Sequence, residues 1–325
     1  MHAFVILLLL AYFGKFLFIP LFFSFLIAIF LYPVCSWFEH HGLNRLASCI
    51  LCVVICILLC SVIIYFVSSQ FQRFLKDIPF LEDKLNEWLQ NFQQWVRRHY
   101  RLNGGTQVNY IDRYMDALSG AAGFTFNSFI SVLLFATLSV FFIFYILFYR
   151  KELNNFLLSL FKASFRKKIT EISYVIHETI VNYIKGLLTE MFILIFLSAV
   201  TLLILGIKYA ILMAFIAGVF NIVPYIGIYT ATLLNMLIAI ASGNDGKSLE
   251  VLLVFVIIHI IDSNLITPIV VGNRIKINPF LTLVAVVAGK LVWGIPGMFL
   301  FIPLAGIIHV VIEKFAGMRS SEILA

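Results

Sequence analysis

The residues best suited to chemistry lie in the C-terminal half of the chain, where ionisable side chains interrupt long apolar stretches. Asp262 is the only carboxylate between Glu250 and Glu313, and Lys290 is an isolated cation in the apolar stretch that follows. A lone charge at the centre of a membrane helix costs about 2.5–3.5 kcal/mol, so each must face a partner, a cavity or the interface. These two residues therefore suggest ion coupling or gating, and a mutually neutralising structural pair is the alternative.

Polar side chains near Asp262 share one face of the helix predicted there. At about 100° per residue, His259, Asp262, Ser263 and Thr267 fall within an arc of about 140°. Because the rest of this stretch is apolar, we expect the polar face to point inward. His259 thus joins Asp262 and Lys290 as a candidate for ion coupling or gating.

Glycine and proline interrupt two apolar segments in the same half of the chain. Residues 209–242 are divided by residues 221–227, and residues 280–312 by residues 294–297. Proline removes a backbone donor, and freed backbone groups at membrane depth need protein or a wet cavity to satisfy them. Paired broken helices predict a transporter binding site, because half-helix ends present amides and carbonyls to a solute. Proline kinks with helix-packing glycines are the alternative.

The candidate binding residues are the polar, small and turn-forming residues at and between these breaks. Asn221, Tyr225 and Asn264 can supply directional hydrogen bonds, and glycines allow close backbone approach. The substrate-binding set is Asn221, Pro224, Tyr225, Gly227, Asn264, Gly289, Gly294 and Gly297. The residues predicted to break helices are Pro268, Gly272, Pro279, Pro296 and Pro303.

The elements that position these residues must be membrane helices. Of the 325 residues, 62% are hydrophobic and only 12% are charged, against about 25% charged in soluble domains. The mean hydropathy is +1.04. A soluble core could not hide this much apolar surface, so we expect an all-α, polytopic helical membrane protein in contact with a lipid bilayer.

Several other roles are disfavoured. The net charge is +7, but the basic residues flank apolar spans and form no stripe for nucleic acid. Cys49, Cys52, Cys56 and Cys60 recur along one helical face without a nearby His or carboxylate in that span, which favours packing over a metal site. Enzyme and nucleotide-binding signatures are incomplete. We therefore expect no enzyme, cofactor or metal.

Runs of apolar residues divide the chain into six parts with about eight spans. Residues 1–68 form N-terminal membrane helices, with a break near Lys15–Pro20 and a further span over 46–67. Residues 69–121 are a polar insert, 122–149 a span, 150–185 a basic amphipathic segment, 186–313 a transport core with Gly/Pro-broken helices, and 314–325 a tail.

The polar insert contains apolar residues at three- and four-residue steps from Phe71 to Val96, which predicts an amphipathic helix. This helix either packs on its own membrane domain or lies in the headgroup plane. The basic segment 150–185 is predicted to be cytoplasmic by the positive-inside rule, which places the insert outside the cytoplasm.

The motifs of the C-terminal half resemble those of the bacterial AI-2E family of transporters, also called the autoinducer-2 exporter or PerM-like family. The resemblance rests on FNIVPYIG at 220–227, DSNLITP at 262–268 with Gly272, the Asn278-Pro279 pair, GKLVWGIPG at 289–297, and PLA at 303–305. It implies a multi-pass protein of the bacterial inner membrane that self-associates and exports a small solute. Some relatives in this family are described as sodium or lithium to proton antiporters.

These observations lead to a hypothesis of secondary transport by alternating access. A small polar solute or a cation would bind between the first break, the Asp262 helix and the second break, and a proton or sodium gradient would drive its export. A Na⁺(Li⁺)/H⁺ antiporter, a passive channel and a non-transporting membrane scaffold are the alternatives.

Overall fold

The computed structural model describes residues 13–100, 126–223, 226–241, 245–270 and 278–323, and these residues are almost entirely helical. Within these ranges, six helices are long and apolar enough to cross a membrane, and three shorter apolar helices accompany them. The expected fold class is confirmed: the chain is an all-α, multi-pass membrane protein. The six long and three short helices bracket the predicted count of about eight spans.

Two helices form the N-terminal part. Helix α1 covers Lys15–His40 and α2 covers Arg45–Tyr100. Helix α1 contains Pro20 and Pro33 without ending at either, and the short helix expected before Lys15 lies outside the described residues. Helix α2 does not end near Val67 as predicted but continues into the insert, because no glycine occurs between Gly42 and Gly104 to end it.

Three helices follow the insert. Helix α3 covers Phe126–Phe148, α4 covers Arg150–Ser159 and α5 covers Ala163–Ile204. The span predicted over 122–149 is thus present as α3. The basic segment and the next apolar span share one long helix, α5, so no helix boundary separates them near residue 187.

The C-terminal half contains the broken helices that the sequence predicts. Its helices are α6 (Ala210–Phe220), α7 (Ile226–Ala241), α8 (Asp245–Ile261), α9 (Thr267–Val270), α10 (Pro279–Trp293) and α11 (Ile295–Ile323). A π-helical turn, Asp262–Ile266, joins α8 to α9. Helix α6 ends before Asn221, and α10 ends at Gly294, which has a φ of 68°. Pro279 begins α10 after the Asn278 cap, and Pro303 lies inside α11 without ending it.

The chain forms two compact units, and α2, α3, α5 and α9 contribute residues to both. Unit 1 comprises Met1–Cys60, Ser131–Thr189 and Pro268–Ala325, and unit 2 comprises Ser61–Ile130 and Glu190–Thr267. Many large apolar side chains of α2 are exposed, for example Leu58, Val62 and Tyr65. A lipid environment accounts for such exposure, because acyl chains solvate apolar side chains without the cost that water imposes.

In unit 1, α1 packs against the helical pair α10–α11. Phe23 stacks on Phe299 with ring centroids 5.5 Å apart, and Phe22 lies 5.5 Å from Trp293. Gly289 and Gly297 face each other across the pair, and a Cβ on either would overlap the backbone of the other. These two glycines therefore allow α10 and α11 to approach at backbone distance.

In unit 2, the start of the insert is attached to the loop before α6. Phe74 belongs to the same apolar core as Leu212, Met213 and Phe255. Lys208 Nζ donates a hydrogen bond to Asp77 Oδ2 at 2.5 Å, and the Tyr209 hydroxyl donates to the same oxygen. This part of the insert helix thus packs on its own membrane domain, as the first of the two predicted arrangements requires.

The Asp77 contact predicts a defined pH range for this attachment. The hydrogen bonds from Lys208 and Tyr209 hold the pKa of Asp77 below its usual value, so the stabilisation is present above about pH 3.9 and is lost as the pH falls through the lower folded pKa. The bond to Asp77 raises the pKa of Lys208, so the stabilisation is complete below about pH 10.4 and is lost as the pH rises through the higher folded pKa.

We therefore expect Asp77→Asn to speed amide hydrogen exchange around Phe74 at neutral pH, with little further effect in strong acid. Exchange of the protein in lipid nanodiscs measures this. Glu87→Gln is the matched control, because Glu87 is exposed and pairs with Lys84 on the surface of the same helix. Equal exchange in the Asp77 variant and the unmodified protein at neutral pH would contradict the assignment.

Candidate functional site

Two carboxylates meet inside unit 2. Asn221 Nδ2 donates a hydrogen bond to Glu190 Oε1 at 3.2 Å and to Asp262 Oδ2 at 3.4 Å. The Thr267 hydroxyl donates to the same Glu190 oxygen at 3.1 Å. We call Glu190, Asn221, Asp262 and Thr267 the carboxylate cluster. It brings together residues from α5, the first helix break and the π-turn.

The helices pack closely enough to form this cluster because of two glycines. Gly218 on α6 lies against Met191 and Ile195 on α5, and a Cβ there would overlap the Ile195 side chain. Gly227 at the start of α7 lies against the backbone of Phe220 and Asn221, where a Cβ would overlap the Phe220 carbonyl. Both contacts hold the end of α6 beside the cluster.

The π-turn places Asp262 and Thr267 on the same side. In this turn the Thr267 N–H bonds to the Asp262 carbonyl, which is the wider spacing of a π-helix. Single π-turns inside α-helices are frequent at functional sites. The widened turn lets Asp262 contact Asn221 and lets Thr267 contact Glu190.

The cluster is buried within apolar helices. The exposed fraction is 8% for Glu190 and 5% for Asp262. At 1.5 Å per residue, Glu190 lies about 21 Å from the end of α5, Asn221 about 17 Å from the start of α6, and Asp262 about 26 Å from the start of α8. A hydrocarbon core is about 30 Å thick, so the cluster lies within membrane depth.

Two buried polar atoms next to the cluster lack a partner among the described residues. They are Asp262 Oδ1 and His259 Nδ1. Tyr229 lies nearby, its ring centroid 6.0 Å from that of His259. Buried polar atoms are nearly always satisfied by protein, water or an ion, so these atoms are free to bind a proton, a cation or a solute.

The structure groups some predicted site residues and separates others. Asn221 and Asp262 are in direct contact, and His259 lies three residues before Asp262 on the same helix. Asn264 is exposed, and its amide donates to the Ile260 carbonyl at 2.8 Å within its own helix. Lys290 has an exposed side chain on α10 in unit 1. Pro224, Tyr225 and Gly272 lie outside the described residues.

The glycines of the second break have a structural role in unit 1. Gly289 and Gly297 face each other across the α10–α11 pair, and Gly294 ends α10 with nothing within 4 Å of a Cβ position. These contacts agree with the alternative of helix-packing glycines. A role for them in binding a solute remains a prediction, as does a role for the neighbouring Pro296 and for Pro268, which lies in α9.

Glu190 is the residue that sequence reasoning missed. The candidate residues identified from the sequence do not include it. The structure places Glu190 inside α5, which covers Ala163–Ile204, and its side chain is buried far from either end of that helix. Glu190 is distant in sequence from the C-terminal motifs, so the sequence does not indicate that it belongs to the cluster. Only the packing of the folded helices brings it to Asn221.

Comparison with known proteins supports transport. The sequence matches the family described as "AI-2E family transporter" over residues 1–317. It is 25% identical to "Putative transport protein YrrI" of Bacillus subtilis over 95% of this chain and 89% of that protein. It is 22% identical to "Putative transport protein YhhT" of Escherichia coli over 91% of this chain and 84% of that protein.

A third relative, "Putative permease PerM" of Escherichia coli, is 26% identical over 43% of this chain and 40% of that protein. The family match covers the N-terminal helices, the insert and the broken helices together. It therefore includes every element that positions the carboxylate cluster, and the chain belongs to the AI-2E family of membrane transporters.

Proposed function

We propose that this transporter exports a small polar solute by alternating access and that the carboxylate cluster binds the coupling ion, a proton or Na⁺. The single observation that carries the proposal is the sharing of one Asn221 amide by two buried carboxylates. Ionisable residues in membrane segments mark ion pathways and proton relays. Two such residues on one amide form a site whose charge state depends on a bound cation.

The electrostatics of the cluster favour a cation. Asn221 lies at the C-terminal end of α6, and Asp262 lies in the π-turn that continues α8 into α9. Helix C-termini carry a partial negative charge, and the C-terminal ends of half-helices coordinate Na⁺ or H⁺ in known transporter folds. Two carboxylates beside such an end repel each other unless a proton or a metal cation is shared between them.

The helix break supplies the means for conformational change. Helix α6 ends at Phe220 and α7 begins at Ile226, so a change in the tilt of one relative to the other does not break a continuous helix. Loss or gain of the ion at the cluster changes the attraction between α5, α6 and the π-turn. A proton or sodium gradient can thereby bias inward-facing and outward-facing states.

A flux assay of the purified protein in sealed liposomes tests the proposal. Candidate polar solutes are loaded inside, and efflux is recorded with and without an imposed pH or sodium gradient. Saturable efflux that depends on the gradient supports the proposal. Non-saturating efflux that ignores the gradient indicates a passive channel, and the absence of efflux for all solutes indicates a scaffold.

A Na⁺(Li⁺)/H⁺ antiporter is the second candidate, and the paired carboxylates favour it. A site of two carboxylates and one amide can hold either protons or a small hard cation, as oxygen ligands suit Na⁺ and Li⁺. In this case no organic solute is needed. Adding Na⁺ or Li⁺ outside liposomes with an acidic interior would then dissipate the pH gradient in the absence of any solute.

We place this transporter in the bacterial inner membrane as a homo-oligomer. The relatives YrrI and YhhT are bacterial proteins, and the apolar helices require a bilayer. The exposed apolar side chains of α2 provide a surface for lipid or for a second copy of the chain. Mass measurement of the protein in lipid nanodiscs would determine the number of subunits.

A further inference from the structure

A second group of chemistry-bearing side chains lies in unit 1, where α1 ends beside α2. Cys35 and Glu39 are one turn apart on α1, and Cys49 lies on α2. The Cys35 and Cys49 sulfurs are 3.7 Å apart, and the Cys35 sulfur is 3.8 Å from Glu39 Oε1. All three potential ligand atoms lie within 4.8 Å of one another. We call Cys35, Glu39 and Cys49 the thiol cluster.

The three residues of the thiol cluster differ in how far they are buried. Cys35 and Cys49 are each 0% exposed, whereas the Glu39 side chain is 22% exposed. The cluster therefore has two ligands fixed inside the protein and a third at its edge. An ion could reach the sulfurs along the Glu39 side, while the packed helices hold the thiols in place.

The distances match those of a tetrahedral thiolate site. Zinc–sulfur bonds of about 2.3 Å at the tetrahedral angle place two sulfurs about 3.8 Å apart. With a zinc–oxygen bond of about 2.0 Å, sulfur and oxygen are about 3.5 Å apart. The observed separations of 3.7 and 3.8 Å are close to these values. The Cys49 sulfur and the Glu39 carboxylate lie within 4.8 Å of each other, so the Glu39 side chain has to move toward Cys49 to reach the separation of about 3.5 Å.

Arg150 orients the carboxylate from outside the cluster. Its guanidinium forms an ion pair with Glu39 through Oε2 and lies 3.6 Å from the Cys35 sulfur. Oε1 of Glu39 is thereby left facing the thiols. Second-shell groups of this kind fix the orientation of a metal ligand and raise its affinity.

The charges of the thiol cluster and Arg150 sum to zero when a divalent cation is bound. Two thiolates and one carboxylate contribute three negative charges, and Arg150 contributes one positive charge. A divalent cation makes the sum zero, which removes the penalty of an uncompensated buried charge. A monovalent cation would leave a net negative charge.

We propose that Cys35, Cys49 and Glu39 form a binding site for a thiophilic divalent cation of the zinc class, with Arg150 as a positioning residue. On binding, two metal–sulfur bonds form as both thiol protons leave to solvent, and the carboxylate becomes the third ligand. Water completes the fourth position. The ion would fasten α1 to α2, and the proposal is independent of the transported solute.

Titration of the purified full-length protein with Cd²⁺ tests the site, since cadmium–thiolate bonds absorb in the near ultraviolet. The expected result is one Cd²⁺ per chain with release of two protons. Cys35→Ser and Cys49→Ser should abolish the absorption, and Arg150→Gln should weaken binding by about 10- to 100-fold. Cys60→Ser, an exposed cysteine on α2, should bind as the unmodified protein does.

Three results would overturn the proposal. The first is no thiolate absorption in the unmodified protein. The second is absorption that survives both serine substitutions, and the third is isolation of Cys35 and Cys49 as a disulfide. Because a serine variant could fail to fold, its elution as a single species on gel filtration is checked first. The proton count on the unmodified protein remains decisive even if both variants aggregate.

Discussion

Substituting Glu190→Gln and Asp262→Asn together is expected to reduce gradient-driven transport by about 100-fold. Both side chains keep their shape and one acceptor oxygen, but neither can ionise. A lone charge at membrane depth costs about 2.5–3.5 kcal/mol, so a carboxylate gains about that much when a cation neutralises it, and an amide does not; about 2.7 kcal/mol corresponds to a 100-fold change in an equilibrium constant. Initial rates of efflux from sealed liposomes under a pH or sodium gradient measure the loss.

The control for this experiment is Glu250→Gln. Glu250 lies on α8, as does the segment leading to Asp262, but its side chain is exposed, and we expect unchanged transport. Asn221→Ala should give an intermediate loss, because it leaves both carboxylates without their shared donor. Full gradient-driven efflux by the double variant would show that the cluster is a structural contact only.

Gly297→Val is expected to prevent α10 and α11 from closing against each other. A Cβ at Gly297 would overlap the Gly289 carbonyl, and the reverse holds for Gly289. Overpacking within a core costs about 1–3 kcal/mol and occasionally more. The cost here should lie at or above the upper end of that range, because the atoms in conflict belong to the backbone and cannot rotate away. Thermal unfolding of the protein in detergent measures this.

Leu291→Ala serves as the comparison on α10. Its side chain is 75% exposed, and its truncation should leave the unfolding temperature nearly unchanged. A Gly297→Val variant as stable as the Leu291 variant would mean that α10 and α11 can separate without loss. The packing role assigned to Gly289 and Gly297 would then be wrong.

Much of the fold was predictable because its signals are local. The apolar runs predict the membrane helices, and the glycines and prolines at residues 221–227 and 294–297 predict the two helix breaks. Helix ends were harder to predict. Helix α2 passes residue 68 and α5 passes residue 186 because a change from apolar to polar composition does not itself end a helix.

The candidate sites depended on contacts that no local pattern contains. Asp262 could be identified from its isolation among apolar residues, and Asn221 from the helix break. Glu190 could not be assigned partners, because Asn221 and Thr267 lie on other helices distant in sequence. The contact between Cys35 and Cys49 could not be assigned either, because it forms only where α1 packs against α2. The cysteines along one face of α2 were predicted to be packing residues, because no carboxylate lies in the same span. The carboxylate near Cys49 is that of Glu39, which lies on α1.

Infrared difference spectroscopy of the purified protein in lipid tests the central claim most directly. Spectra are recorded after a change of pH and after addition of Na⁺ or Li⁺, and the carboxyl and carboxylate bands are compared with those of the Glu190→Gln, Asp262→Asn variant. We predict bands that respond to the coupling ion in the unmodified protein and are missing from the double variant. Identical difference spectra for the two proteins would contradict ion binding at the carboxylate cluster.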